Sequence, residues 1–224
     1  MVNIKSLVFS YGANNFRLEI PSLSIQSQEK IAIIGPSGSG KTSLLKLISG
    51  ILLPQQGHIS INKISVNLLP DASRRDFRIT NIGFIFQDFE LLDYLDALDN
   101  ILHPYRISTS LKLTNETRDR ANALAHELGI QNKLKQLSNT LSQGEQQRTA
   151  ICRALLPKPK LILADEPTGN LDPSNKTKIL EALFRCSDKN NATLIAVTHD
   201  HELLNHFDRV INFKDYCLPE TDND

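Results

Sequence analysis

The chain is most constrained at residues 30–48, where Ile31-Ala32-Ile33-Ile34 runs straight into Gly35-Pro36-Ser37-Gly38-Ser39-Gly40-Lys41-Thr42 and then Ser43-Leu44-Leu45-Lys46-Leu47-Ile48. The order is buried strand, glycine-rich loop, helix. It matches the phosphate-loop pattern G-x-x-x-x-G-K-[ST] in full and in the context that pattern requires. Gly35, Gly38 and Gly40 let the backbone turn tightly and aim N–H groups at phosphate oxygens, reinforced by the positive end of the helix. Pro36, Ser37, Ser39 and Ser43 complete the cradle. Lys41 adds a charge at the terminal phosphates, and Thr42 offers a hydroxyl to a magnesium ion that keeps most of its waters. These residues imply binding of ATP or GTP.

A second apolar run, Leu161-Ile162-Leu163-Ala164, ends in the adjacent carboxylates Asp165 and Glu166. The carboxyl end of a strand is where an open parallel sheet places groups that meet a ligand. By itself the pair reads as a solvated acidic turn. Behind a phosphate loop, Asp165 reads as a magnesium holder and Glu166 as the general base toward water. A third run, Thr193 to Thr198, is again apolar on both faces, as in a parallel sheet covered by helices on both sides. Alternation at Phe16, Leu18 and Ile20, then at Leu23 and Ile25 beyond Pro21-Ser22, predicts short antiparallel strands. Further strands are predicted at His58 to Ile61 and Ile82 to Phe86, and helices at Leu91 to His103, Arg118 to Leu128 and about residues 175–185.

The 224 residues suffice for one sizeable core. Lysine plus arginine and aspartate plus glutamate each count 25, so no global field draws nucleic acid or anionic lipid. Cys152, Cys186 and Cys217 show neither disulfide nor metal-ligand spacing, which suits a reducing compartment. His58, His103, His126, His201 and His206 are assigned to surface or packing. Residues 1–11 lack the pattern of a secretory signal, no apolar stretch approaches the roughly 20 residues of a membrane span, and Pro219 to Asp224 reads as a frayed tail.

Leu141-Ser142-Gln143-Gly144-Glu145-Gln146-Gln147-Arg148, placed just before the second carboxylate strand, resembles the LSGGQ-x-QR signature of the ATP-binding-cassette (ABC) family. The resemblance extends over essentially the whole chain. It implies an α/β fold, a P-loop NTPase core with a parallel sheet flanked by helices, an N-terminal antiparallel β subdomain and an inserted helical subdomain. A single domain over residues 1–224 is expected, with core and β subdomain in 1–86, the helical signature subdomain in 87–148, and the second part of the core and tail in 149–224. The signature of one chain is expected to close over ATP held by a second copy, giving a head-to-tail dimer with two ATP and magnesium. Ser142, Gln143, Gly144 and Glu145 then contact the partner's nucleotide. Gln143 departs from the usual glycine and Glu145 from the frequent glutamine.

Residue by residue, the same resemblance makes Tyr11 the aromatic that stacks on adenine, Gln87 the glutamine that senses magnesium and γ-phosphate, Asp172 the residue that links the sites across the dimer axis, and His199 the switch histidine. Read alone, Tyr11 also suits an edge strand, and Asp172-Pro173 also suits a helix start. Residues 88–95 suit either a groove for a permease helix or ordinary packing. Phe89-Glu90-Leu91-Leu92, Ala97-Leu98-Asp99-Asn100-Ile101 and the stretch Ala164 to Asp172 look most like the lipoprotein-release and macrolide-export group. An ATPase that drives a separate membrane permease from the inner, cytoplasmic face is expected, with no nucleic-acid partner. A small-solute importer subunit, a soluble non-transport ABC ATPase and a noncatalytic cassette are the alternatives.

Overall fold

The computed structural model describes residues 1–12, 16–169 and 173–216. Strands β1 (Val2–Ser10), β2 (Arg17–Ile25), β4 (Gln56–Ile61) and β5 (Ile64–Ser65) form an antiparallel sheet in the order β2-β1-β4-β5. Strands β3 (Lys30–Ile34), β6 (Ile82–Ile85), β7 (Leu161–Asp165), β8 (Thr193–Val197) and β9 (Arg209–Asn212) form a parallel sheet in the order β6-β7-β8-β3-β9.

Helix α1 (Lys41–Ile48) lies between the two sheets. Its Leu44, Leu45, Leu47 and Ile48 are fully buried in one cluster with Ile4, Leu18 and Ile20 of the antiparallel sheet and Ile31, Ile33 and Leu163 of the parallel one. The opposite face of the parallel sheet carries Ile162, Leu194 and Ala196 into a second cluster. There they meet α3 (Ala97–Ile107), α4 (Asn115–Glu127), α5 (Gln143–Leu155) and α6 (Pro173–Asn190).

The expected break at Pro21-Ser22 is absent: β2 is continuous. The apolar phase does slip there, because Ile20 and Leu23 both face the core. Pro21 is tolerated because β2 is an edge strand. The ladder skips only the pair opposite Ser6, whose φ is 48°. Four of these elements were not anticipated: β1, β5, α2 (Asp71–Asn81) and β9. Helix α3 begins at Ala97 rather than Leu91, capped by Asp96, whose carboxylate accepts from Asp99 N at 2.7 Å. It also runs on through Pro104 to Ile107.

Asn100 explains the late start of α3. It is fully buried, its Oδ1 accepts from Leu92 N at 2.8 Å, and its amide donates to the carbonyls of Leu92, Leu95 and Asp96 at 3.1, 3.3 and 3.1 Å. These bonds hold residues 92–96 as a loop laid over the helix, so their leucines pack without being helical. Asn100→Ala leaves the Leu92 N–H without its acceptor and strips one bond each from the carbonyls of Leu92, Leu95 and Asp96, which keep other donors. It is expected to cost about 3 kcal/mol, read as a lower urea midpoint at unchanged slope. A loss below about 0.5 kcal/mol, the range of surface substitutions, would show that the loop holds without it.

Candidate nucleotide-binding site

The site is built at the carboxyl ends of the parallel strands. The glycine-rich loop follows β3, Gln87 lies just past β6, Asp165 and Glu166 end β7, and His199 follows β8. Pairing of Ile33 and of Asp165 with Val197 brings three of these ends level. A cleft of about 540 Å³ is lined by Tyr11, Ser37, Gly38, Gly40, Lys41, Thr42, Ser43, Gln87, Glu166 and His199, together with Phe16 and Val197. Gly35 and Pro36 line an adjoining hollow with His199, and Ser39 is buried behind the loop.

Gly40 sits at the N-cap of α1 with φ 94°. A Cβ there would lie 2.6 Å from Phe16 Cζ, so both backbone and packing demand glycine. No side chain caps α1, which leaves its first N–H groups to a ligand anion. Lys41 Nζ donates to Gly35 O at 2.9 Å and Pro36 O at 2.7 Å. Tyr11 is 41% exposed, packs edge-on against Phe9 at 4.8 Å, and shares a 3.0 Å hydrogen bond with Ser43 Oγ. It also lies 5.8 Å from Phe16, ring centre to ring centre, so an anchored and partly exposed ring lines the cleft.

Asp165 is buried, and burial raises its carboxyl pKa, opposed by a hydrogen bond to Thr42 and by the charges of Lys46 and Lys41. Its Oδ1 is buried without a hydrogen-bond partner. A buried carboxylate oxygen left open beside a threonine hydroxyl is a hard-oxygen pair that fits magnesium. Among the described residues no group of three or more His, Cys, Asp or Glu could hold a metal by itself. Glu166 adopts φ 50°, donates its N–H to Val197 O at 3.1 Å, and places Oε1 2.7 Å from His199 Nε2. A left-handed glutamate is a strained conformation of the kind that collects at functional sites.

The signature residues lie elsewhere. Ser142 caps α5, accepting from Glu145 N at 3.4 Å, while Glu145 Oε2 accepts from Ser142 N at 2.9 Å. Glu145 Oε1 is also 3.1 Å from Lys133 Nζ. The Ser142 amide above all, and then Lys133, hold the Glu145 carboxyl below its ordinary pKa. Gln143 is the first residue of α5 and has no positive φ, so nothing in the backbone requires glycine there. None of Ser142, Gln143, Gly144 and Glu145 lines the cleft. Asp172 lies outside the described residues.

Two contributors escaped the sequence reading. Phe16 was read only as a strand residue, and its position five after Tyr11 was the available signal. Phe213 is fully buried under the loop, with Cβ 3.2 Å from where a Cβ on Gly35 would stand. The apolar pair Val210-Ile211 just before it marks β9.

Because the folded pKa of Asp165 lies above its unfolded value of about 4, its contribution is least unfavourable below that value. Stability is lost as pH rises from there through the higher folded pKa. Asp165→Asn is therefore expected to raise the thermal midpoint at pH 7 in EDTA, with the gap to the parent closing toward pH 4. An equal or lower midpoint at pH 7 would refute the buried-charge assignment.

A model of the ABC transporter family matches residues 18–169. The chain is 35% identical over 218 residues to the lipoprotein-releasing system ATP-binding protein LolD of Syntrophotalea carbinolica, covering 96% of this chain and 95% of that one. It is 39% identical over 199 residues to the macrolide export ATP-binding/permease protein MacB of Rhodopirellula baltica, covering 89% of this chain but only 29% of that one. Among solved structures, the ATP-binding cassette MJ0796, in a dimeric post-hydrolysis state bound to ADP and Pi, superposes with a TM-score of 0.87 at 33% identity, covering 95% of this chain and 94% of that one. With the fold, the phosphate loop and these relatives in agreement, the chain belongs to the ABC transporter family, as an ATP-binding, ATP-hydrolysing cassette of the LolD and MacB type.

Proposed function

We propose that this cassette works as a head-to-tail pair around two ATP and drives a separate membrane permease of the export or mechanical-transmission type. The observation that carries the reading is a division of the machinery. The phosphate loop, Glu166, Gln87 and His199 line one cleft, while a second helix start suited to phosphate, at Ser142, lies outside it. One chain has no use for both ends on a single ATP. Two chains facing each other do.

In this reading Tyr11 stacks on adenine and the loop N–H groups hold the phosphates. Lys41 exchanges the carbonyls of Gly35 and Pro36 for phosphate oxygens. Thr42 and Asp165 would hold magnesium, with Gln87 as a further oxygen donor to it. When bound, the ion neutralises phosphate charge. Glu166 takes a proton from the attacking water as its oxygen bonds the γ-phosphorus and the bond to the bridging oxygen breaks, releasing ADP and phosphate. His199, already 2.7 Å from Glu166, orients that carboxylate. Ser142, Gln143, Gly144 and Glu145 of the second copy close over the γ-phosphate, and Asp172 links the two sites.

Residues 1–224 act as one cassette in which 87–148 form the arm that meets the permease, and 1–86 and 149–224 supply the core and the short tail. Among the described residues no helix is long and apolar enough to cross a membrane, which fits attachment to the inner face through a partner. The LolD relative bears the name of a lipoprotein-releasing system, and the MacB relative that of macrolide export with a permease in the same chain. Tyr94, 75% exposed in the loop after β6, supplies an aromatic contact for such a permease.

Glu166→Gln is expected to lower turnover by about 10²–10⁴-fold and, with ATP and magnesium, to convert monomer to dimer in size-exclusion light scattering. Adding Ser142→Arg in that background should abolish the dimer. A chain that binds ATP tightly yet stays monomeric throughout would defeat the shared-site reading for the isolated cassette.

A further inference from the structure

The turn that follows Gln87 is secured by a residue more than sixty positions away. Phe89 and Glu90 both adopt left-handed backbone, with φ 61° and 49°. Two successive residues bearing a Cβ in that region are disfavoured and persist only where their surroundings enforce it. The turn's own bonds are local: Phe89 N donates to Phe86 O at 3.1 Å and Glu90 N to Asp88 O at 2.6 Å. The long-range restraint comes from α5. Arg153 Nη2 donates to Phe89 O at 2.5 Å, and its Nη1 donates to Glu90 O. A planar guanidinium presents two N–H groups in a fixed fork, which suits a pair of neighbouring carbonyls better than a single ammonium does.

The anchor itself is firm. Ala154, next to Arg153, lies so close to β6 that a Cβ on Gly83 would be 2.5 Å from Ala154 O. Strand β6 leads directly to Gln87, so the seat of α5 on β6 fixes Arg153 relative to the turn it holds. Burial lowers the Arg153 pKa to about 10, partly offset by Glu90, and leaves it cationic at neutral pH.

We propose that Arg153 is a positioning residue for ATP hydrolysis: by clamping the Phe89 and Glu90 carbonyls to α5 it holds the turn in the strained form that delivers Gln87 to the nucleotide cleft. This rests on the role proposed above for Gln87. Helix α5 thereby carries two functions about 16 Å apart, at 1.5 Å per residue. Its start meets the second chain's ATP, and near its end it sets the geometry at its own.

The test measures steady-state ATP hydrolysis by the full chain in Gln87→Ala, Arg153→Met, the double variant, and Arg153→Met with Glu90→Gly. Glycine adopts positive φ at little cost, so it should keep the turn in shape without the clamp. Expected are a fall in kcat of roughly 10–100-fold for Arg153→Met with KM for ATP changed less than about twofold, no further loss in the double variant, and partial recovery on adding Glu90→Gly. Unchanged KM marks a site still able to bind, and a merely structural role gives no reason for a glycine to restore turnover. A fall in Gln87→Ala with full activity in Arg153→Met, additive losses in the double variant, or no recovery with Glu90→Gly would overturn the inference alone. Full activity in Gln87→Ala would overturn the reading of Gln87 and this inference with it. Should Arg153→Met fail to fold, Arg153→Lys, which keeps the charge but not the fork, carries the same comparisons with a smaller expected loss.

Discussion

Everything at the nucleotide site depends on the burial of α1 between two sheets. Leu44, Leu45, Leu47 and Ile48 are each within 1% of complete burial and meet apolar side chains of both sheets. At about 1.5–3 kcal/mol for burying each such side chain, sliding or tilting the helix would sacrifice a large part of the molecule's net stability. The start of α1 is therefore immobile, and so is the loop folded over it, which Phe16 packs against at Gly40 and Phe213 supports at Gly35. The loop is held from two sides, while the turn after Gln87 is tied instead to α5 through Arg153.

Two buried polar side chains, Asn100 and Asp165, show the contrast between holding shape and holding a ligand. Asn100, which does not line the nucleotide cleft, is buried with its amide nitrogen and oxygen both engaged. Asp165 is buried with one oxygen open, and Glu166 and the Phe89-Glu90 turn hold disfavoured backbone. The buried polarity of Asn100 specifies shape, whereas that of Asp165 is left incomplete at a strand end. That pattern is expected where a ligand supplies the missing partner and where the surrounding core over-determines the strain.

How much of this was legible depends on how local the signal is. The phosphate loop and the Asp165-Glu166 pair were readable because a short apolar strand followed by defined chemistry is written in consecutive residues. Strand β1 was missed because its apolar phase slips at Ser6, where φ is positive. Helix α2 was missed because it buries no residue fully and is polar overall, with Ala72, Phe77 and Ile79 as its few apolar residues. The start of α3 was misplaced because Leu91, Leu92 and Leu95 mimic helical spacing while a distant amide holds their backbone as loop. Tyr11, Gln87 and His199 carry no local signal at all. They came from resemblance to a family, and only the strand order β6-β7-β8-β3 explains why Gln87 and His199 meet the loop. The Arg153 clamp spans 63 and 64 positions to its two carbonyls, with nothing in the intervening sequence to announce it.

The two departures in the signature can be weighed on the same physical terms. A helix start suited to phosphate needs free N–H groups and no uncompensated negative charge. The capping box of α5 uses the N–H groups of Ser142 and Glu145, leaving those of Gln143 and Gly144 to an outside acceptor. Gln143 can present its N–H as a glycine would, because its backbone is ordinary helix. Glu145 places a carboxylate where an incoming phosphate would be repelled, but Lys133 stands 3.1 Å from it and offsets the charge. The carboxylate in turn fixes the Ser142 backbone, so the serine hydroxyl is held in place at the helix start. The pair Lys133 and Glu145 thus leaves this helix end electrically close to that of a glutamine-bearing signature, which is why neither departure argues against a second phosphate-binding end.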